Sequence, residues 1–170
     1  MHVLIATDGS INTDQAAAFA GSLAGDEGTT SVLTVVRVPR RMVQELRHSY
    51  GDQAPVRVDS DAEYVGSPQA GGNLERGFPG DDALVEQYLG DKRIERCRPV
   101  AEAIRAMGGS AESVVREGDE VEDIIMATAD ELGADVIVVG AHGKHAFQGL
   151  LGSTGAKLVR RSSVPVLVLR

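Results

Sequence analysis

Apolar runs of strand length alternate along the chain with longer segments of helical period. His2 to Ala6 is apolar on almost every residue, as expected of a central parallel strand covered on both faces. Thr7-Asp8-Gly9-Ser10 interrupts it, and Asn12 or Thr13 can cap a helix that follows. In that helix Ala16, Phe19, Ala20 and Leu23 share one face, and Gly25 closes it. Thr29 to Val38 is again apolar and β-branched, a second strand. Helical spacing returns at Asp81 with Leu84, Val85 and Tyr88, weakens at Gly90, and resumes through Ile94, Cys97, Val100, Ala103, Ile104 and Met107. Pro99 lies inside that pattern and predicts a kink or restart there, and Gly108-Gly109 ends it. A short strand, Ser113 to Arg116, precedes an amphipathic helix over Asp119 to Leu132, with Val121, Ile124, Ile125, Thr128, Ala129 and Leu132 inward and Gly133 at its end. Asp135 to Val139 is a fourth strand. A last helix ends near Ser162, and a fifth strand follows, with Pro165 at its start, where a missing N–H does least harm.

This alternation predicts an α/β fold: one doubly wound, five-stranded parallel sheet with helices on both faces, Rossmann-like, in a single domain over residues 1–170. Residues 39–82 break the rhythm. Ser49 to Asp82 holds six glycines and three prolines without a sustained helical period. Val56 to Val58 and Glu63 to Val65 could pair as a hairpin. A segment of this kind reads either as a lid over a site or as an insertion without structure of its own.

The richest chemistry lies between Ala134 and Ser163. The apolar run Val136 to Val139 stops at Gly140, and Gly143, Gly149, Gly152 and Gly155 follow. Ser153 and Thr154 then open the helical pattern Ala156, Leu158, Val159. Strand, glycine loop and helix start together can cradle a phosphate. Glycine lets the backbone approach the anion, and the helix N-terminus offers unbonded N–H groups and a partial positive charge. The alternative is an ordinary strand-to-helix connection. Such connections usually take about two to six residues, whereas this one takes about a dozen.

Gly140-Ala141-His142-Gly143, eight residues, then Gly152-Ser153 closely resembles the signature of the universal stress protein family, usually written G-2x-G-9x-G-[S/T]. The resemblance extends through Val164-Pro165-Val166-Leu167-Val168, which is similar to that family's last strand. The intervening segment is one residue shorter than the family pattern, a loss of up to ~3.5 Å of reach. The resemblance implies a sheet of order 3-2-1-4-5, whose reversal lies between the first and fourth strands. Asp8 and Gly140 would then face each other across the ligand crevice.

It also implies ATP as ligand. Asp8 matches the family acid that contacts the nucleoside; its other reading is a cap for the first helix turn with Gly9 and Ser10. Val35 would give the base an apolar wall. Gly140 and Gly143 would approach the ribose and α-phosphate, with His142 contacting through its backbone. Gly152, Ser153 and Thr154 would hold the β- and γ-phosphates. Ala6, Thr7, Val139 and Gly155 complete the candidate set. A divalent cation, Mg²⁺ or Mn²⁺, would arrive on the phosphates. His142 and His145 lack the further ligands that zinc needs.

The chain has no G-x-x-x-x-G-K-[S/T] loop, because Lys144 and Lys157 fall at other spacings, and no G-x-S-x-G elbow. The S-G-G-x-D-S loop of ATP pyrophosphatases is replaced by Thr7-Asp8-Gly9-Ser10-Ile11. The expected activity is therefore nucleotide-dependent signalling in a stress response, with little or no turnover. A slow ATPase, or a dimeric interaction module without nucleotide, is the alternative.

Composition narrows the partners. With 25 Asp and Glu against 17 Lys and Arg, the net charge of −8 argues against nucleic acid or an anionic membrane. Three Tyr, three Phe and no Trp leave little for stacking single strands. No apolar stretch reaches the ~18 residues of a membrane span. The start, Met-His-Val-Leu-Ile-Ala, is unlike a signal peptide and points to the cytoplasm. The single cysteine, Cys97, fits a reducing compartment; among Glu95, Arg96 and Arg98 it reads as a half-buried helix residue or a reactive thiolate. Val164 to Leu169 forms an apolar sheet edge, a liability unless paired, and the resemblance implies a homodimer through that strand.

Overall fold

The computed structural model describes residues 1–25, 27–39, 41, 81–141 and 152–170. The apolar runs become β1 (His2–Ala6), β2 (Thr29–Val36), β3 (Ser110–Glu117), β4 (Val136–Gly140) and β5 (Val166–Leu169). Between them lie α1 (Thr13–Ala24), α2 (Asp81–Ala106), α3 (Val121–Leu132) and α4 (Ser153–Arg161). All strand pairings are parallel, in the order β3-β2-β1-β4-β5. Met1–Val38 and Tyr88–Arg170 compose one compact unit, which contains the sheet. Pro39–Gln87 compose a second, of which Pro39, Arg41 and the first residues of α2 are described. The possible hairpin at 56–65 lies outside the described residues.

Alternation along the strands divides the core between the two faces of the sheet. Val3, Ile5, Val32, Val136 and Val138 meet Ala16, Ala17 and Ala20 of α1 and Cys97, Val100, Ala101 and Ile104 of α2. On the opposite face Leu4, Ala6, Leu33, Ile137 and Val139 meet Ile125 and Ala129 of α3 and Leu158 of α4. Each large aliphatic side chain buried this way contributes about 1.5–3 kcal/mol. The sheet thus has α1 and α2 on one side and α3 and α4 on the other, the arrangement a doubly wound fold requires.

Several expected boundaries move. Phe19 is exposed, and Ala17 is buried in its place. At about 100° per residue the two flank the Ala16–Ala20 stripe symmetrically, and burying the smaller one brings α1 closer to the sheet. The long helix does not restart at Gly90 or Pro99; it is continuous from Asp81 to Ala106. Pro99 lacks the N–H of an ordinary helix residue, and both it and Arg98 are exposed, so the helix continues past it on a solvent-facing turn. β3 is eight residues long rather than four, because it pairs with the whole of β2, from Thr29↔Ser110 to Val36↔Glu117. β2 itself stops at Val36, two residues early. Gly133 closes α3 in the left-handed conformation, at φ 62 and ψ 41, with its N–H directed to Ala129 and Asp130 carbonyls.

The two edges of the sheet differ. β3 carries Glu112, Arg116 and Glu117, charges that discourage pairing with another strand. β5 carries only Val166, Leu167, Val168 and Leu169.

Candidate functional site

β1 lies between β2 and β4, with Ala6 opposite both Leu33 and Val139. α1, which follows β1, packs on one face of the sheet, and α4, which follows β4, packs on the other. Their divergence opens a crevice at the carboxyl ends of these strands. Ala6, Thr7 and Val139 are buried beneath it, and Val35 is partly buried near the end of β2.

The turn after β1 is held by its own side chains. The Thr7 amide donates to the Leu33 carbonyl at 2.9 Å, and the Thr7 hydroxyl accepts from the Gly9 amide at 2.9 Å. Asp8 Oδ1 accepts from the Ser10 amide at 3.0 Å and from the Ser10 hydroxyl. This local closure is available to Asp, whose short side chain reaches the backbone two residues on. Gly9 has φ 87, a conformation that L side chains rarely adopt. The cap of α1 is Asn12, which accepts from the Gln15 amide at 2.9 Å. Asp8 is therefore not needed as that helix's cap and stands half-buried at the crevice.

On the β4 side, the Ala141 amide donates to the Leu169 carbonyl at 2.6 Å, and the Gly152 amide to the Ala141 carbonyl at 3.0 Å. The two ends of the glycine loop are thereby drawn together as Gly140 leaves the sheet and Gly152 enters α4. His142, Gly143, Lys144 and His145 lie outside the described residues. Gly152 is the N-cap of α4 and offers no side-chain cap, and the first turn contains no acid. The first intrahelical bond runs from the Ala156 amide to the Gly152 carbonyl at 2.9 Å. The amides of Ser153, Thr154 and Gly155 precede it and have no acceptor within the helix. Among the described residues, a Cβ built on Gly152 would approach only the Ala141 carbonyl oxygen, at 3.8 Å. An anion is the chemistry such donors suit, so the residues present fit a phosphate group.

Two ion pairs lock this helix against α3. Lys157 pairs with Glu122, and Arg161 Nη2 lies 2.8 Å from Asp123 Oδ1. Glu122 is only 6% exposed. Lys157, hydrogen-bonded to it, holds its carboxyl below the ordinary carboxylate value of 4.5. The acids opening α3 look in the sequence like solvated dipole partners. Only the matching cations one turn apart on α4, at 157 and 161, hint at their role. Lys157 is thus already engaged.

Three other features escaped the sequence reading. Cys97 is fully buried, and desolvation pushes its thiol up to about 12 against the lowering influence of Arg96 and Arg93. It is neither half-buried nor a reactive thiolate. Arg96 lies beside the β1 turn: a Cβ on Gly9 would come within 3.2 Å of its Cγ. At the opposite end of the strands, the His2 ring reaches the Leu132 carbonyl at 3.0 Å and the Ser31 hydroxyl at 2.9 Å, and Ser31 donates to Glu112 at 2.7 Å. Among the described residues no group of three or more His, Cys, Asp and Glu is placed to hold a metal ion. No described helix is long and apolar enough to cross a membrane.

Comparison with known proteins agrees with this architecture. Universal stress protein G of Shigella flexneri is 32% identical over 93 residues, which is 55% of this chain and 65% of that protein. The matched stretch is thus somewhat under two thirds of the relative's length. The solved structure of MJ0577 superposes with a TM-score of 0.64 at 17% identity, covering 99% of this chain and 94% of that one. A universal stress protein in complex with cAMP superposes with a TM-score of 0.59 at 21% identity, covering 100% and 97%. The sequence pattern of the Universal stress protein family matches residues 1–170 in full. Because that match spans the whole chain and the sheet has the order 3-2-1-4-5, the chain belongs to the universal stress protein family.

Proposed function

We propose that the protein binds ATP at the carboxyl ends of β1 and β4 and works as a nucleotide-dependent stress-response or signalling module with little or no turnover. The observation that carries this reading is the N-terminus of α4. Three consecutive amides lack intrahelical acceptors, the cap is glycine, and the first turn has no acid. Asp8 would accept from the nucleoside, and Val35 would wall the base. Gly140, His142 and Gly143 would line the ribose and α-phosphate, and Gly152, Ser153, Thr154 and Gly155 would take the remaining phosphates. Mg²⁺ or Mn²⁺ would supply charge neutralisation on the phosphates when bound. Of the chain's three lysines, Lys157 is committed to Glu122. The binding of cAMP by one protein of this fold lends support to a nucleotide ligand.

The acidic composition and lone buried cysteine support a cytoplasmic protein that does not engage nucleic acid. The apolar edge at β5 supports a homodimer through Val164–Leu169, because an exposed edge of that composition is an aggregation hazard unless covered. Sedimentation over a hundredfold concentration range tests it; a concentration-independent monomer refutes it.

The eight-residue span between Gly143 and Gly152 favours a second reading, a dimeric interaction module that takes no nucleotide. The deciding experiment is nucleotide analysis of the purified protein, followed by calorimetric titration with ATP and Mg²⁺. Carried-over ATP, or micromolar binding lost in Gly140→Val, supports the first reading. No binding at millimolar ATP supports the second. A slow ATPase would instead show phosphate release that disappears in Asp8→Ala.

A further inference from the structure

Arg96 has no role in the family pattern quoted above, yet it combines a partly buried side chain with a buried donor that lacks an acceptor among the described residues. Arg37, Arg98, Arg116 and Arg161 each pair with a carboxylate. Arg96 has no such partner among the described residues. It is half-buried, one residue before the fully buried Cys97. Its aliphatic stem lies along the β1 turn: a Cβ at Gly9 would stand 3.2, 3.6 and 3.7 Å from its Cγ, Cβ and Cα. Among the described residues its guanidinium makes one long contact, from Nη1 to the Thr34 hydroxyl at 3.4 Å. Nε is buried and has no hydrogen-bond partner among the described residues. Thr34 is the residue after Leu33, which receives the Thr7 amide, so the cation stands at the carboxyl end of β1 and β2.

A buried guanidinium N–H without an acceptor costs more than an unmet neutral donor, and the cost falls when an anionic oxygen arrives. Here that cost is maintained beside the turn that presents Asp8. Gly9 is the residue whose missing side chain lets the arginine lie against that turn. A carboxylate and a cation at one turn suit a ligand that has both hydroxyl donors and an anion.

We propose that Arg96 is a ligand-binding residue of the nucleotide site, donating from its guanidinium to an anionic phosphate oxygen of the bound nucleotide. This rests on the nucleotide-binding reading above and adds to it. Arg96 supplies the positive charge on the β1 side of the crevice, while the N-terminus of α4 supplies backbone donors on the β4 side. The site would therefore select phosphorylated nucleosides over free nucleosides through two separate elements.

The test is calorimetric titration of wild type, Arg96→Gln and Arg96→Lys with adenosine, AMP, cAMP and ATP–Mg²⁺, with circular-dichroism melts of all three proteins. The expected result is a ten- to hundredfold weaker affinity of Arg96→Gln for the phosphorylated ligand that wild type binds best. Adenosine binding should change less than threefold, Arg96→Lys should recover most of the loss, and all three proteins should keep a folded spectrum. Equal weakening of adenosine and ATP in Arg96→Gln would overturn the proposal, because Arg96 would then only support the turn. Unchanged ATP affinity in Arg96→Gln would overturn it as well. Failure of the underlying reading looks different: wild type binds none of the four ligands. If Arg96→Gln does not fold, Arg96→Met, which keeps an aliphatic stem along the β1 turn without the charge, decides by the same measurement, since a ten- to hundredfold reduced preference for ATP over adenosine is expected. An unreduced preference refutes the assignment.

Discussion

Replacing Leu158 by alanine separates the packing of α4 from every other contribution to the site. Leu158 is 0% exposed and is the buried leucine through which the nine-residue α4 enters the core of Leu4, Leu33, Ile125, Ile137 and Val139. Truncating a buried leucine removes transfer free energy and leaves a cavity, together about 2–5 kcal/mol. α4 is short and borders the partly buried β5, so some collapse into the cavity is available. That places the expected loss near 3 kcal/mol. For a chain of this size each kcal/mol lowers the melting temperature by about 2–4 °C, so Leu158→Ala should melt about 6–12 °C below wild type. Urea titration with a common m-value gives the free energy directly. Val159, the next residue, is 54% exposed, and Val159→Ala should stay within about 0.5 kcal/mol of wild type. Because Ser153–Gly155 open the same helix, Leu158→Ala should also weaken ATP, and Val159→Ala should not. A loss below about 1 kcal/mol for Leu158→Ala, or equal losses for the two variants, would refute the packing described for α4.

Three further outcomes follow from single contacts. Glu122 is held below its ordinary 4.5 by Lys157, so the pair contributes stability that is complete above that value and is lost as pH falls through the lowered one. Melts of wild type and Glu122→Gln should differ most at neutral pH and converge in acid; parallel profiles would refute the coupling. Gly9→Ala should cost about 1–2 kcal/mol, because φ is 87 and the new methyl would press on Arg96, and chemical denaturation measures it. Cys97, pushed up to about 12 from 9.0, should react with an aromatic disulfide at pH 8 on the order of 10³ times more slowly in the native protein than in denaturant. Stopped-flow absorbance checks this, and comparable rates would contradict its burial.

The local patterns alone were enough for the five strands, the strand–helix alternation and the opening of α4 at Ser153. Strand and helix periods are properties of neighbouring residues, and a parallel, doubly wound sheet follows from their alternation. Gly25 and Gly133 at helix ends, and Asn12 as a cap, were legible for the same reason. What a side chain meets across the fold is not local, and there the tertiary structure decided. α1 buries Ala17 and leaves Phe19 outside because the sheet beneath it sets how closely the helix can lie. α2 runs through Pro99 because tertiary packing at Cys97, Val100 and Ile104 outweighs one missing hydrogen bond on an exposed turn. Glu122 is buried because Lys157, on another helix, stands over it. Arg96 stands against Gly9 and Thr34, with no carboxylate partner among the described residues, because the sheet order brings it there, a placement no spacing along the chain encodes.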